Sequence, residues 1–174
     1  MPTLSERLKD TIRDIPDFPI EGIVFKDIAP ILQDAALMKA IIQSFAEGVE
    51  GKIDVVVGME SRGFIFGAPL AMELDAAFVP ARKPGKLPYD TIGVEYALEY
   101  GTNRLEMHTD AIQPGQRVLI VDDLLATGGT AKATLELVQQ LKGEVVGCCF
   151  VIELAFLSGA AGLGGTPIHS LVRY

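Results

Sequence analysis

Apolar residues recur at helical spacing from the start of the chain. Leu4, Leu8, Ile12 and Ile15 form one stripe with charges between them, which predicts an amphipathic helix from Leu4 to Ile15, ended by Pro16. A second helical pattern fills residues 34–47, with Asp34 placed to cap it and Leu37, Met38, Ile41, Ile42 and Phe45 turned inward. The period then breaks. Ile53 to Val57 is an almost unbroken apolar run, as expected of a parallel strand covered on both faces, and a helix follows Gly63 through about Leu74. Ala77 to Pro80 is a short third strand. From Thr91 to His108 the period is two: Ile92, Val94, Tyr96 and Leu98 alternate with other residues, and Leu105 and Met107 resume after Tyr100-Gly101-Thr102-Asn103. That is a hairpin or long β-arm. Val118 to Val121 predicts a strand, Thr130 to Lys142 a helix stopped by Gly143, Val145 to Ile152 a buried strand, and Ile168 to Val172 the last one.

Strands alternating with helices predict an α/β fold: one domain, residues 1–174, with a central, mostly parallel sheet flanked by helices. Such sheets bind ligands at the carboxyl ends of their strands, so the loops that emerge there carry the candidate chemistry. After Val121 come Asp122 and Asp123, then Ala126-Thr127-Gly128-Gly129-Thr130 at the start of a helix. Small residues, two hydroxyls, free N–H groups and the positive end of a helix dipole suit a phosphate. The acidic pair suits hydroxyl groups or a Mg²⁺ ion better than a second anion. A sugar phosphate satisfies both halves. Gly58-Met59-Glu60-Ser61-Arg62-Gly63 is a second strand–loop–helix turn, where Arg62 is either a phosphate ligand or an ordinary surface cation. Arg82, Lys83 and Lys86 place three cations within five positions of an acidic chain, and convergence of their loop with the other two favours a pyrophosphate over a merely solvated turn.

Residues 16–28 are punctuated by proline and glycine yet carry Phe18, Ile20, Ile23, Val24 and Phe25. So apolar a loop must either pack on the core or serve as a lid whose ring and backbone groups meet a flat heterocycle. The glycine-rich stretch from Ser158 to Pro167 has no helical pattern after it and is read as a flexible loop, not a dinucleotide motif.

Totals narrow the picture further. The chain has 174 residues, 49% of them apolar, and a formal net charge of −8, with no basic stripe for nucleic acid. No apolar run approaches the roughly 20 residues that span a bilayer, and the first residues have no signal-peptide core, so neither membrane nor nucleic acid is an expected partner and the expected location is cytoplasmic. Cys148 and Cys149 are adjacent, without disulfide or metal-ligand spacing, and read as small core residues. His108 and His169 read as structural.

The stretch RVLIVDDLLATGGT resembles the signature that type I phosphoribosyltransferases use for 5-phosphoribosyl-1-pyrophosphate (PRPP). PDFPIEGIVFKDIAPIL, SRGFIFG, RKPGKLP, ALEYG and VIEL, in that order, narrow the resemblance to the adenine phosphoribosyltransferase family over nearly the whole chain. The resemblance implies transfer of phosphoribose to adenine, giving AMP and pyrophosphate, with Mg²⁺ held mainly by PRPP and pyrophosphate and with Asp122 and Asp123 as candidate further ligands. It places the 5-phosphate on Ala126, Thr127, Gly128, Gly129 and Thr130, the ribose hydroxyls on Asp122 and Asp123, and pyrophosphate on Ser61, Arg62, Arg82, Lys83 and Lys86. A cis peptide is expected at Glu60-Ser61. Adenine would lie between Phe25 and Leu154, its edge read by backbone groups at Val24 and Lys26. Glu99, as proton acceptor, and Tyr100 would cover the reaction centre with Arg62 as a further catalytic group. Residues 1–33 would then form an N-terminal helix and base-covering hood, residues 87–111 a flexible catalytic arm, and the protein a homodimer. Other readings are a phosphoribosyltransferase for xanthine or for hypoxanthine and guanine, or a non-catalytic sensor of PRPP or nucleotide on the same fold. A receiver-type signalling domain is disfavoured, because Gly58-Met59-Glu60 offers no phosphate-accepting Asp.

Overall fold

The fold comes from a computed structural model that describes residues 1–97 and 101–174. Its elements run α1 (Leu4–Thr11), β1 (Arg13–Ile15), β2 (Phe25–Asp27), α2 (Ala29–Leu32), α3 (Ala35–Glu47), β3 (Val55–Met59), α4 (Gly63–Glu73), β4 (Ala77–Ala81), β5 (Thr91–Ala97), β6 (Thr102–His108), β7 (Arg117–Leu125), α5 (Gly129–Gln140), β8 (Glu144–Glu153), two 3₁₀ turns (Ala155–Leu157 and Gly159–Leu163) and β9 (Ile168–Arg173). Five strands form one parallel sheet in the order β4-β3-β7-β8-β9.

Strand periodicity divides the core into two layers. Val56, Leu119, Val121, Cys149 and Val151 face α1, α3 and α4 through Leu8, Ile41, Phe45, Phe66 and Leu70. Val55, Val57, Val118, Ile120, Cys148 and Phe150 face the other way, onto α5 and the β5–β6 hairpin, through Leu137, Val138, Val94, Leu105 and Met107. The two cysteines are thus core residues on opposite faces, and burial pushes the Cys148 thiol up to about 12 and the Cys149 thiol higher still.

Because α4 covers one face and α5 the other, the connections after β3 and β7 diverge from neighbouring strands. This is the switch point of a doubly wound sheet, where a crevice opens at the carboxyl ends. Local sequence supports the framing helices. Asp34 accepts from the Ala36 and Leu37 N–H groups at 2.8 and 3.0 Å, as expected of the cap of α3. Thr3 and Glu6 form a reciprocal capping box on α1.

Several expected boundaries move. α1 stops at Thr11 rather than Ile15, because Arg13–Ile15 pairs antiparallel with Phe25–Asp27, an arrangement reinforced by Arg13–Asp27 and Lys26–Asp14 ion pairs at 3.0 and 2.7 Å. The proline-rich segment therefore ends in a strand. β7 runs four residues past Val121 to Leu125, since β8 continues beside it: Asp122 pairs with Phe150, and Leu125 with Glu153. The acidic pair consequently sits within a strand and not at its end. Residues 158–167, expected to be a flexible loop, contain a 3₁₀ turn whose Leu163 is buried in the α5 layer. The hairpin lies outside the main sheet and is joined to it by a reciprocal backbone bridge between Arg82 and Glu106.

Candidate active site

At the switch point lies a cavity of about 510 Å³, walled by Met59–Arg62 on one side and Asp122–Ala131 on the other, with Phe150 beneath. Two glycines set its dimensions. A Cβ on Gly63 would lie 2.7 Å from the Val121 carbonyl oxygen, so only glycine lets the start of α4 approach β7 closely enough to bring Arg62 over the acidic pair. Gly128 has φ +86°, and a Cβ there would lie 2.5 Å from the Gly159 carbonyl oxygen. Its left-handed conformation turns the chain into α5, leaving the first-turn N–H groups at the cavity. The 158–167 segment thus backs the phosphate-type loop, a role hidden in its plain glycine-rich sequence.

The charges are arranged asymmetrically. Asp123 is buried, with 5% of its side chain exposed, and its Oδ2 receives Arg62 Nε at 2.9 Å. Asp122 Oδ1 instead accepts the Asp123 backbone N–H at 2.8 Å. Burial, then the Asp123 charge, hold the Asp122 carboxyl well above the usual carboxylate range. One carboxylate is paired with a cation. The other is held towards its protonated form. Arg62 also stands 5.3 Å from the Phe25 ring centroid, and Phe18 packs edge-on against Phe25 at 5.1 Å. One guanidinium therefore joins the polar cavity to an aromatic wall.

A second cavity of about 610 Å³ opens at the opposite edge, where β7, β8 and β9 begin. Its Arg117 already donates to the Glu50 and Lys52 carbonyls at 3.0 and 2.9 Å, so it presents no comparable anion seat. Chemistry, not size, separates the two.

Residues 27–158 match the phosphoribosyl transferase domain family. The chain is 58% identical over 169 residues to an adenine phosphoribosyltransferase of Acetivibrio thermocellus, covering 96% of this chain and 99% of that protein. The crystal structure of adenine phosphoribosyltransferase from Thermoanaerobacter pseudethanolicus superposes with a TM-score of 0.95 at 54% identity, covering 99% of this chain and all of the other. The chain belongs to the adenine phosphoribosyltransferases. The yeast enzyme from Saccharomyces cerevisiae, crystallised with adenine and an imino-altritol bisphosphate, superposes at 0.93 with 43% identity, over 97% of this chain and 98% of that one.

Of the residues that the family pattern singles out, Ser61, Arg62, Asp122, Asp123 and Ala126 to Thr130 all line the one cavity. The peptide between Glu60 and Ser61 is cis, at the expected position. The basic loop reaches the cavity indirectly. Glu60 accepts the Lys83 N–H at 2.7 Å and Arg82 Nε at 3.3 Å, while the Lys83 and Lys86 side chains are exposed and outside the lining. Burial works to raise the Glu60 carboxyl, but the Lys83 N–H and Arg82 outweigh it and hold the group below its usual range. Glu60 is a site residue without a signal in the sequence, because the partners it holds, Arg82 and the Lys83 N–H, lie more than 20 positions away. By periodicity Tyr96 is only a strand residue, yet its hydroxyl lies 3.4 Å from Thr130 Oγ1. Val24 is half exposed, Lys26 turns its side chain to Asp14, and Leu154 packs at the edge of the α1–α4 layer. Glu99 and Tyr100 lie outside the described residues.

Proposed function

We propose that the chain transfers the 5-phosphoribosyl group of PRPP to adenine, forming AMP and pyrophosphate in purine salvage. The observation that carries this reading is the single cavity in which a phosphate-type helix start, an acidic pair and Arg62 meet, with Arg62 against the Phe25 ring. Family membership names the base.

Each group has a task. The N–H groups at the start of α5 and the Thr127 and Thr130 hydroxyls take the 5-phosphate. Asp122 and Asp123 accept hydrogen bonds from the ribose hydroxyls and orient C1 towards the base wall. Arg62, together with Ser61 and the Arg82–Lys86 loop, stabilises the charge that develops on the departing pyrophosphate. Phe25 and Leu154 hold adenine flat, with the Val24 and Lys26 backbone reading its edge. Glu99 accepts the purine proton as the new C–N bond forms, with Tyr100 over the same centre.

Among the described residues, no three His, Cys, Asp or Glu side chains gather into a metal cage. Two neighbouring carboxylates, one already paired with Arg62, suit a Mg²⁺ ion that arrives with phosphate oxygens. Asp122 and Asp123 would then hold it alongside PRPP, where it neutralises charge on the leaving group. The same proposal includes a cytoplasmic home and a homodimer. No helix is long and apolar enough to cross a membrane among the described residues, and Ile65 and Met72 lie exposed on α4 with Met72 at 84%.

Incubation with adenine, PRPP and Mg²⁺ should yield AMP and pyrophosphate in equal amounts, identified by chromatography. EDTA should abolish both, and turnover that persists in EDTA would refute the magnesium requirement. Glu99→Ala should lower kcat by about 10²- to 10⁴-fold with little change in the PRPP KM; an unchanged kcat would remove Glu99 from the mechanism. Light scattering on the eluted protein should give twice the chain mass.

A further inference from the structure

The proposed base slot has two walls from distant parts of the chain, and Tyr174 touches the support of both. Its backbone N–H donates to the Glu153 carbonyl at 3.0 Å, and its carbonyl accepts the Ala155 N–H at 2.9 Å. These bonds bracket Leu154 on either side. Its ring lies under the Lys26 ammonium, 3.8 Å from the ring centroid, while the same ammonium pairs with Asp14 at 2.7 Å. Lys26 is 13% exposed, so its charge is well shielded from solvent. Phe25 and Lys26 are successive residues of β2 and point to opposite sides of the β1–β2 ribbon. Phe25 meets Arg62, which lines the cavity; Lys26 meets Tyr174 on the other side of the ribbon.

We propose that Tyr174 is a positioning residue for base recognition, its ring anchoring the Lys26 ammonium and so fixing the β2 backbone against the wall that carries Leu154. This rests on the reading of Phe25 and Leu154 as the base slot. Tyr174 touches no substrate in this arrangement. Its influence passes through the backbone at Val24 and Lys26, whose peptide groups must be held in place to discriminate a purine edge. The PRPP cavity has no part of this contact in its walls, so the effect falls on one substrate.

The test compares Tyr174→Leu, which keeps an apolar side chain without a π face, with Tyr174→Phe, which keeps the face. Tyr174→Leu should raise the adenine KM about fivefold, the loss of one shielded cation–π contact, and leave the PRPP KM and kcat within about twofold. Tyr174→Phe should match the wild type. Lys26→Met removes the contact from the other side and should reproduce the adenine effect, with no further rise in the double variant. Equal rises in both KM values, or the same behaviour from Leu and Phe, would overturn the proposal in favour of plain packing. Should Tyr174→Leu melt too early to assay, an unchanged adenine KM in Lys26→Met would also overturn it. A wild-type protein with no adenine-dependent pyrophosphate release would remove the slot and the proposal together, whereas an active wild type with an indifferent Tyr174→Leu would remove only the proposal.

Discussion

Asp122 and Asp123 are neighbours in sequence with opposite obligations in the fold. Asp123 is buried against Arg62, and a variant that deletes the guanidinium strands its charge. Arg62→Met should therefore lower stability by about 1–3 kcal/mol in urea denaturation, and adding Asp123→Asn should restore part of it. If the second change lowers stability further, the pairing is not what Asp123 depends on. Asp122 behaves in the reverse sense. Its carboxyl is raised in the folded state, so the fold favours the protonated form, and that contribution is present below the ordinary carboxylate range and lost as pH rises through the raised value. At neutral pH, where the carboxyl of the unfolded chain is ionised, that contribution is diminished and the buried group costs stability. Asp122→Asn should raise Tm by a few degrees near pH 7.5, and the gain should shrink as pH falls towards about 4. The same variant should raise the PRPP KM about tenfold, because the proposed contact to a ribose hydroxyl loses a carboxyl acceptor. A lower Tm at neutral pH would contradict the assigned direction.

Elements explain why the loops can do this. The turn into α5 works because Gly128 and Gly159 let two segments pass at backbone contact; a Cβ on Gly159 would overlap the Ala126 carbonyl oxygen. Gly159→Ala should cost about 1–3 kcal/mol and raise the PRPP KM well above the adenine KM in steady-state assays. Equal effects on both substrates would detach this segment from the phosphate seat. Gly159 also marks the boundary of what periodicity reveals. The strand–loop–helix units around Arg62 and Asp122 were legible because each burial pattern is local: apolar run, polar turn, amphipathic helix. The β1–β2 ribbon was not, since its three-residue strands are joined by cross-strand ion pairs between positions 12 to 14 residues apart. The extension of β7 past its acidic pair depends on β8 lying beside it, a neighbour the local pattern does not contain. The 158–167 turn similarly gets its shape from the loop it backs.

At the scale of the molecule, the strand order β4-β3-β7-β8-β9 sends the connections after β3 and β7 to opposite faces and leaves the crevice between them. That single topological fact brings Ser61–Arg62 and Ala126–Thr130 together from 64 or more positions apart. Residue type alone indicated the phosphate and hydroxyl chemistry, whereas adenine came from whole-chain resemblance, since a backbone-read base edge leaves little trace in side chains. Glu60 escaped notice for a related reason: its value lies in holding Arg82 and the Lys83 backbone, contacts that exist only once β3 and β4 are paired.

In the proposed function this crevice joins PRPP to adenine in preference to other purines. The most direct measurement is kcat/KM for adenine, hypoxanthine, xanthine and guanine under one set of PRPP and Mg²⁺ conditions. The site described here predicts adenine above each of the others by at least about a hundredfold, as unpaired polar groups at the slot would reject a 6-oxo edge. Comparable values for adenine and any 6-oxopurine would contradict it.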